Sequence, residues 1–309
     1  MVKFEDYQYA RPDMKEVKLD FSALLQEFRS ASSYDQQNEV IERINTIGKD
    51  YSTMANLVYI RASIDTNDEY YQKERDYFDE IGPEYQELET AYYKELVSTP
   101  YRAQLEEKWG TQLFALADNS IKSFSPEIVG MLQKENKLTS DYSKLVASAQ
   151  IDFDGKTLTL AQMGPYAEST DRSIRKSAME ATYKFYADNG EKFDEIYDQL
   201  VKLRHEIATT LGYKNFVELG YLRMDRIDYD ADMVKKFRDQ VRDHIVPLAN
   251  RLYKRQAERI NVEELKFYDQ SLDFLTGNAT PQGSPEWIIE NGKKMYAELS
   301  PETDAFLSS

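Results

Sequence analysis

Apolar residues along this chain recur mostly at spacings of three and four, the period that lays one stripe along an α-helix. Thr66-Asn67-Asp68-Glu69 has the spacing of a capping box, and Tyr70, Tyr71, Tyr77, Phe78 and Ile81 follow on one face. Pro83 then interrupts, and Tyr85, Leu88, Tyr92 and Leu96 form a second stripe, so the pattern predicts a helical hairpin broken at the proline.

One stretch changes period. Ile151 and Phe153 alternate with polar residues, Asp154-Gly155 supplies a turn, and Leu158 and Leu160 alternate again. Alternation around Asp-Gly predicts an antiparallel hairpin over 148–161. Beyond Gly164-Pro165 a helix is expected from about Ser169-Thr170-Asp171, with Ile174, Ala178, Ala181 and Phe185 as its stripe and Asn189-Gly190 as its end. The next stripe is Phe193, Ile196, Leu200, Leu203, Ile207 and Leu211, closed by Gly212 at a C-cap. Asn215 restarts a short helix. Asp230 opens a long one through Met233, Phe237, Val241, Ile245, Leu248 and Leu252, with a kink expected at Pro247. Residues 276–285 are the clearest loop. Ser300-Pro301-Glu302 is a good helix start, with Phe306 and Leu307 expected to be exposed. So short a final helix is marginal alone, and truncation of a longer chain is the simplest expectation.

This mainly α reading narrows once composition is added. The 309 residues can hold one large domain or two ordinary ones. A net charge of −16 disfavours phosphate backbones and anionic membranes, both of which need a cationic face. The absence of cysteine excludes disulfides, thiolate metal sites and cysteine nucleophiles. No apolar leader or membrane-length stretch is evident, so no membrane and no nucleic acid are expected as partners, and the cytoplasm is the default location.

The candidate chemistry is a near-match. His205-Glu206-Ile207-Ala208-Thr209 is one histidine short of His-Glu-x-x-His, in which two imidazoles one turn apart grip a zinc ion beside a glutamate base. Thr209 is a poor zinc donor, and the second histidine of the chain is the distant His244. His205 falls opposite the Leu203/Ile207 stripe and is expected at the surface; His244 borders its apolar stripe and is expected to pack or to lie at an interface. No residue of the chain is assigned a catalytic or metal-binding role. The 23 tyrosines suit helix packing, with some available to line a peptide groove. Glu84, Glu87 and Glu89 are expected on a solvated helical face.

Several segments, in order along essentially the whole chain, resemble the oligoendopeptidase F branch of the thimet oligopeptidase family of zinc metallopeptidases. They are Phe4-Glu5-Asp6-Tyr7 through Arg11-Pro12-Asp13, Ile60-Arg61-Ala62-Ser63 through Tyr70-Tyr71, Phe153-Asp154-Gly155-Lys156 through Leu160, Asp171-Arg172-Ser173-Ile174-Arg175, and Leu211-Gly212-Tyr213-Lys214-Asn215-Phe216. The resemblance implies a two-lobed, mostly helical body around a deep channel that admits oligopeptides. It also implies a zinc helix and a third, glutamate ligand in a C-terminal half that this sequence does not reach. The chain is therefore expected to be the non-catalytic N-terminal part of such an endopeptidase, with zinc only in the parent family and the missing catalytic half as its partner. The alternative is a helical peptide-binding module without chemistry. The expected division is an N-terminal helical region over 1–145, the hairpin segment over 146–168, and the start of the peptidase-type helical domain over 169–309.

Overall fold

The computed structural model describes residues 4–307. In chain order its helices and strands are α1 (Met14–Ser30), α2 (Tyr34–Ile64), α3 (Glu69–Ser98), α4 (Arg102–Trp109), α5 (Thr111–Ser123), α6 (Val129–Ala147), β1 (Ile151–Phe153), β2 (Lys156–Leu158), α7 (Gly164–Ala167), α8 (Arg172–Asp188), α9 (Gly190–Thr210), α10 (Phe216–Arg223), α11 (Ala231–Gln240), α12 (Val246–Arg259), α13 (Pro285–Leu299) and α14 (Pro301–Leu307). The fold is mainly α with one two-stranded antiparallel hairpin, as the periodicity predicts. Two units are distinguishable. The larger holds Arg11–Gln162 and Glu180–Asn250; the smaller holds residues 4–10, Met163–Met179 and residues 251–307.

The larger unit is a helical bundle with two apolar centres. Phe21, Leu25 and Phe28 of α1 meet Ile41 and Ile44 of α2, Leu96 of α3, Leu105 of α4 and Phe114 of α5. Ile128 and Leu132 meet Leu203 and Ile207 of α9 and Leu219 of α10 in the second. Each such side chain contributes about 1.5–3 kcal/mol by leaving water, which makes these clusters the main stabilising term. A strap at the N-terminal edge is fixed to α3. Arg11 forms a two-pronged ion pair with the buried Glu74 and sits 4.5 Å over the Tyr77 ring, while the Tyr77 hydroxyl donates to the Pro12 carbonyl at 2.8 Å.

Pro83 does not end its helix. α3 runs unbroken through it, so the expected helical hairpin is replaced by a single 30-residue helix. Its N-cap is Asp68 rather than Thr66, and Asp68 accepts from the amides of Tyr70 and Tyr71. Proline lacks the N–H that would pair with the Asp79 carbonyl, and its ring crowds that carbonyl. Asn136 of α6 fills that vacancy, donating to the Asp79 carbonyl at 3.1 Å, and Gln133 of α6 donates to the neighbouring Glu80 carbonyl at 2.8 Å. A neighbouring helix thus supplies what the proline removes.

The hairpin pairs Ile151 with Leu158 and Phe153 with Lys156. Asp154 and Gly155 both have positive φ, 51° and 70°, the geometry of the turn that Asp-Gly favours. Strand pairing stops at Leu158, so Leu160 lies outside it. Asp171 caps α8 by accepting from the amides of Ser173 and Ile174. Gly212, at φ 88°, closes α9: its amide donates to Thr209 and that of Tyr213 to Ala208. Asn215 and Asp230 cap α10 and α11 as their positions predict.

Before Pro247 the helical register is absorbed by a π turn, Val241–Ile245, which joins α11 to α12. The stripe Met233, Phe237, Ile245, Leu248 and Leu252 is exposed along this segment.

In the smaller unit the irregular segment after α12 runs from 260 to 284, longer than the loop the composition marks out. Its backbone is satisfied by side chains. Gln256 donates to the carbonyls of Gln270 and Leu272, and Asn278 accepts from the Asp273 amide and donates to the Ser271 carbonyl. Asp269, fully buried, accepts from Arg172 at 2.7 and 3.0 Å, from Arg175 at 2.9 Å and from the Lys266 amide at 3.0 Å. α14 starts at Pro301 behind Ser300, whose hydroxyl accepts from the Thr303 amide. Phe306 is exposed, while Leu307 is half-buried.

Candidate binding cleft

Within the larger unit, α2 and α3 bring a set of tyrosines around one carboxylate. On α3, Tyr85, Glu89 and Tyr93 stand four residues apart and so share a face. On α2, Gly48, Tyr51, Ser52 and Tyr59 form the opposing wall. The Tyr51 and Tyr85 rings stack with centroids 3.9 Å apart and planes 6° from parallel, and Phe78 and Phe21 brace them edge-on. Gly48 has a packing reason to be glycine: a Cβ there would lie 3.3 Å from the Tyr85 hydroxyl oxygen.

Two openings meet at Glu89. One, of about 640 Å³, continues to Ser120 and Ser123 of α5 and to Arg223 and Asp225 at the end of α10. The other, of about 740 Å³, runs along α2 to Trp109. Both fall in the size range of small-ligand sites.

The electrostatics of the cleft are set by burial. Glu89 has no hydrogen bond or ion pair to another described residue, and desolvation pushes its carboxyl up to about 7. The same loss of water raises Tyr51, Tyr85 and Tyr93, which therefore stay neutral. The cation of the first opening, Arg223, is already paired with the buried Glu135 at 2.9 Å, and Arg204 holds that carboxylate from its other side at 2.6 Å. Asp225 is itself held by Asn119 at 2.9 Å. The arrangement offers a polarisable aromatic wall and one poorly compensated carboxylate. It offers no nucleophile paired with a base.

The sequence expectations fare unevenly here. Glu87 is exposed and Glu84 pairs with Lys18, but Glu89 is not on a solvated face. Residue 89 lies between Tyr85 and Tyr93 on the stripe facing α2, away from the solvated side that carries Glu87. Those three residues at spacings of four were the available signal. Tyr85 and Tyr92 are buried, Tyr71 and Tyr77 half-buried, and Tyr70 exposed.

His205 is exposed, and the Thr209 hydroxyl turns back to donate to the carbonyls of His205 and Glu206. His244, expected to pack or to lie at an interface, is exposed within the π turn. The structure brings neither histidine to a cluster: among the described residues no group of three or more His, Cys, Asp or Glu side chains is placed to hold a metal. The described residues do not fit a zinc site.

Residues 4–124 match the model described as the peptidase M3 N-terminal domain, and residues 165–275 match that of peptidase family M3. Among solved structures, PZ peptidase A with an inhibitor is 56% identical with a TM-score of 0.96, covering 99% of this chain and 54% of its own. A structure described as an oligoendopeptidase F is 52% identical with a TM-score of 0.97, covering 100% and 55%. Another so described, from Bacillus anthracis strain Ames, is 51% identical with a TM-score of 0.95, covering 98% and 56%. An oligoendopeptidase F from Enterococcus faecium, 16% identical with a TM-score of 0.61, shares the fold. The chain thus spans about half the length of these three solved structures. No curated protein matches it.

Proposed function

Because the chain belongs to peptidase family M3, we propose that it is the N-terminal, non-catalytic portion of an oligoendopeptidase F-like zinc endopeptidase acting on oligopeptides. The observation that carries this reading is the likeness itself. Identity of 51–56% runs over nearly all of this chain while covering only 54–56% of the relatives' lengths. In this reading the relatives' remaining length corresponds to the half that supplies the metal, its activated water and the groups that stabilise the tetrahedral oxyanion. The division into 1–145, 146–168 and 169–309 belongs to the same proposal, as does a cytoplasmic location. Among the described residues no helix is long and apolar enough to cross a membrane.

Exposed apolar side chains support a covering partner segment. On α13, Trp287, Ile289, Met295 and Leu299 are open to solvent, as are Phe237 and Leu252 on the α11–α12 segment. Faces this apolar are the kind that a further part of a chain buries. The task left to this chain is to wall the space in which a peptide lies and to hold the peptide. A stand-alone peptide-binding module draws on the same cleft, and chemistry separates the two readings.

The test is complementation. The 309-residue chain is co-expressed with the portion of PZ peptidase A that it does not cover, and turnover of a quenched fluorogenic oligopeptide is followed with and without chelator. Chelator-sensitive cleavage by the pair, and none by either part, is the expected result. Chelator-sensitive cleavage by this chain alone, lost in His205→Ala, would overturn the reading. So would an associated but inactive pair, which would favour the module.

A further inference from the structure

Three buried carboxylates of this protein are each answered by arginine. Glu74 has Arg11, Glu135 has Arg204 and Arg223, and Asp269 has Arg172 and Arg175. Glu89 has no such partner among the described residues, although it sits at the meeting point of two openings. A half-buried carboxylate ionises at a cost when no counter-charge answers it, and a cation arriving from outside would offset that cost.

The walls narrow the chemistry of that group. Tyr51, Tyr59, Tyr85 and Tyr93 surround the first opening, and phenol rings present a negative π face that attracts cations. Arg223 is committed to Glu135. Lys49, on the rim of the second opening, is exposed, and burial rather than any cation sets the titration of Glu89. In the first opening an anion would meet Glu89 and Asp225 without a free counter-charge, and a neutral apolar group would leave the carboxylate unpaired. Rings and an unpaired carboxylate together suit a compact cation with donors of its own.

We propose that the cleft formed by Tyr51, Tyr59, Tyr85, Tyr93 and Glu89 recognises a primary ammonium group, the free α-amine of an oligopeptide. Glu89 accepts from the ammonium, and the tyrosine faces take up its remaining charge. That a peptide carries the ammonium rests on the M3 reading above; the ammonium chemistry rests on the cleft alone.

Calorimetric titration of the 309-residue chain at pH 8 uses three probes: penta-alanine amide with a free amino terminus, its N-acetyl form, and the N-acetyl form with a central lysine. The free-amine peptide is expected to bind, and N-acetylation and Glu89→Gln are each expected to weaken it about tenfold. Tyr93→Phe keeps the ring face and stays within about twofold of wild type, whereas Tyr93→Leu loses about fivefold. Circular dichroism establishes that each variant is folded, and Glu89→Asp restores part of the affinity. Equal binding by the N-acetyl peptide without lysine, equal binding by Glu89→Gln, or no binding by the free-amine peptide each overturns the proposal. Equal binding by the lysine probe upholds ammonium recognition and overturns the α-amine assignment. Because nothing is cleaved in this titration, its failure leaves the complementation test intact, and failed complementation leaves the titration intact.

Discussion

Asp269 in the smaller unit and Glu89 in the larger are both carboxylates removed from water, yet they titrate at opposite ends of the scale. Asp269 is fully buried, and burial pushes its carboxyl up, but hydrogen bonds from Arg172, the Lys266 amide and Arg175 outweigh that push and hold it at about 2. Glu89 sits at about 7 because nothing offsets its desolvation. Burial pushes both carboxyls up, and the donors around each decide whether that rise survives. A satisfied carboxylate such as Asp269 acts as a structural clamp, here pinning an irregular segment to α8. An unsatisfied one is free for a ligand.

The largest effect that would break this contrast lies at the clamp. Asp269→Ala leaves Arg175, 2% exposed, without its counter-charge, and is expected to cost about 3–5 kcal/mol. Urea titration and hydrogen exchange over 262–273 would measure it, and a loss below about 1 kcal/mol would show that the clamp is dispensable. The folded value of Asp269 lies below the ordinary 3.8, so its contribution is present above that pH and is lost as pH falls through about 2.

At Glu89 the sign reverses. Its folded value of about 7 lies above the ordinary 4.5, so the folded state holds the proton more tightly. Stability from this group is greatest below 4.5 and declines as pH rises through 7. Glu89→Gln should therefore stabilise the chain at pH 8 by about 1–3 kcal/mol and change little at pH 4. Melting curves at the two pH values would decide it, and parallel wild-type and variant curves would end the contrast with Asp269.

The same rule extends to neutral groups at Pro83. Asn136→Ala removes the donor to the Asp79 carbonyl and should cost about 1–2 kcal/mol, read by urea titration. A neutral outcome would mean that α3 tolerates an orphaned carbonyl. The smallest effect belongs to the hairpin, where no carboxylate clamp is involved. Gly155→Ala at φ 70° should cost about 1 kcal/mol and should add to Glu89→Gln without coupling, as a double-variant melt would check.

Much of the fold was legible in the residues. The turn at Asp154-Gly155, the caps at Asp171, Asn215 and Asp230, and the stripe through Leu203 and Ile207 all follow from neighbours a few positions apart. The histidine shortfall at Thr209 was equally plain. The candidate cleft was not, because Glu89 resembles any acidic residue of an exposed helix until α2 is laid against its face. Reading Pro83 as a break also cut the α3 stripe in two and concealed the alignment of Tyr85, Glu89 and Tyr93 with the residues before them.

By itself the sequence determined the helical period, the hairpin, the caps at Asp171, Asn215 and Asp230 and the family resemblance, because these depend on contacts within a turn or two or on the order of residues. Only the tertiary structure decided that α3 continues through a proline, since the missing donor is replaced by Asn136, 57 residues away. It likewise decided that Asp269 is clamped by arginines 94 and 97 residues distant while Glu89 is left unanswered among tyrosines. The reason is physical: a helix face carries its own periodicity, but the partner that satisfies a buried polar group is chosen by packing between elements far apart in the chain.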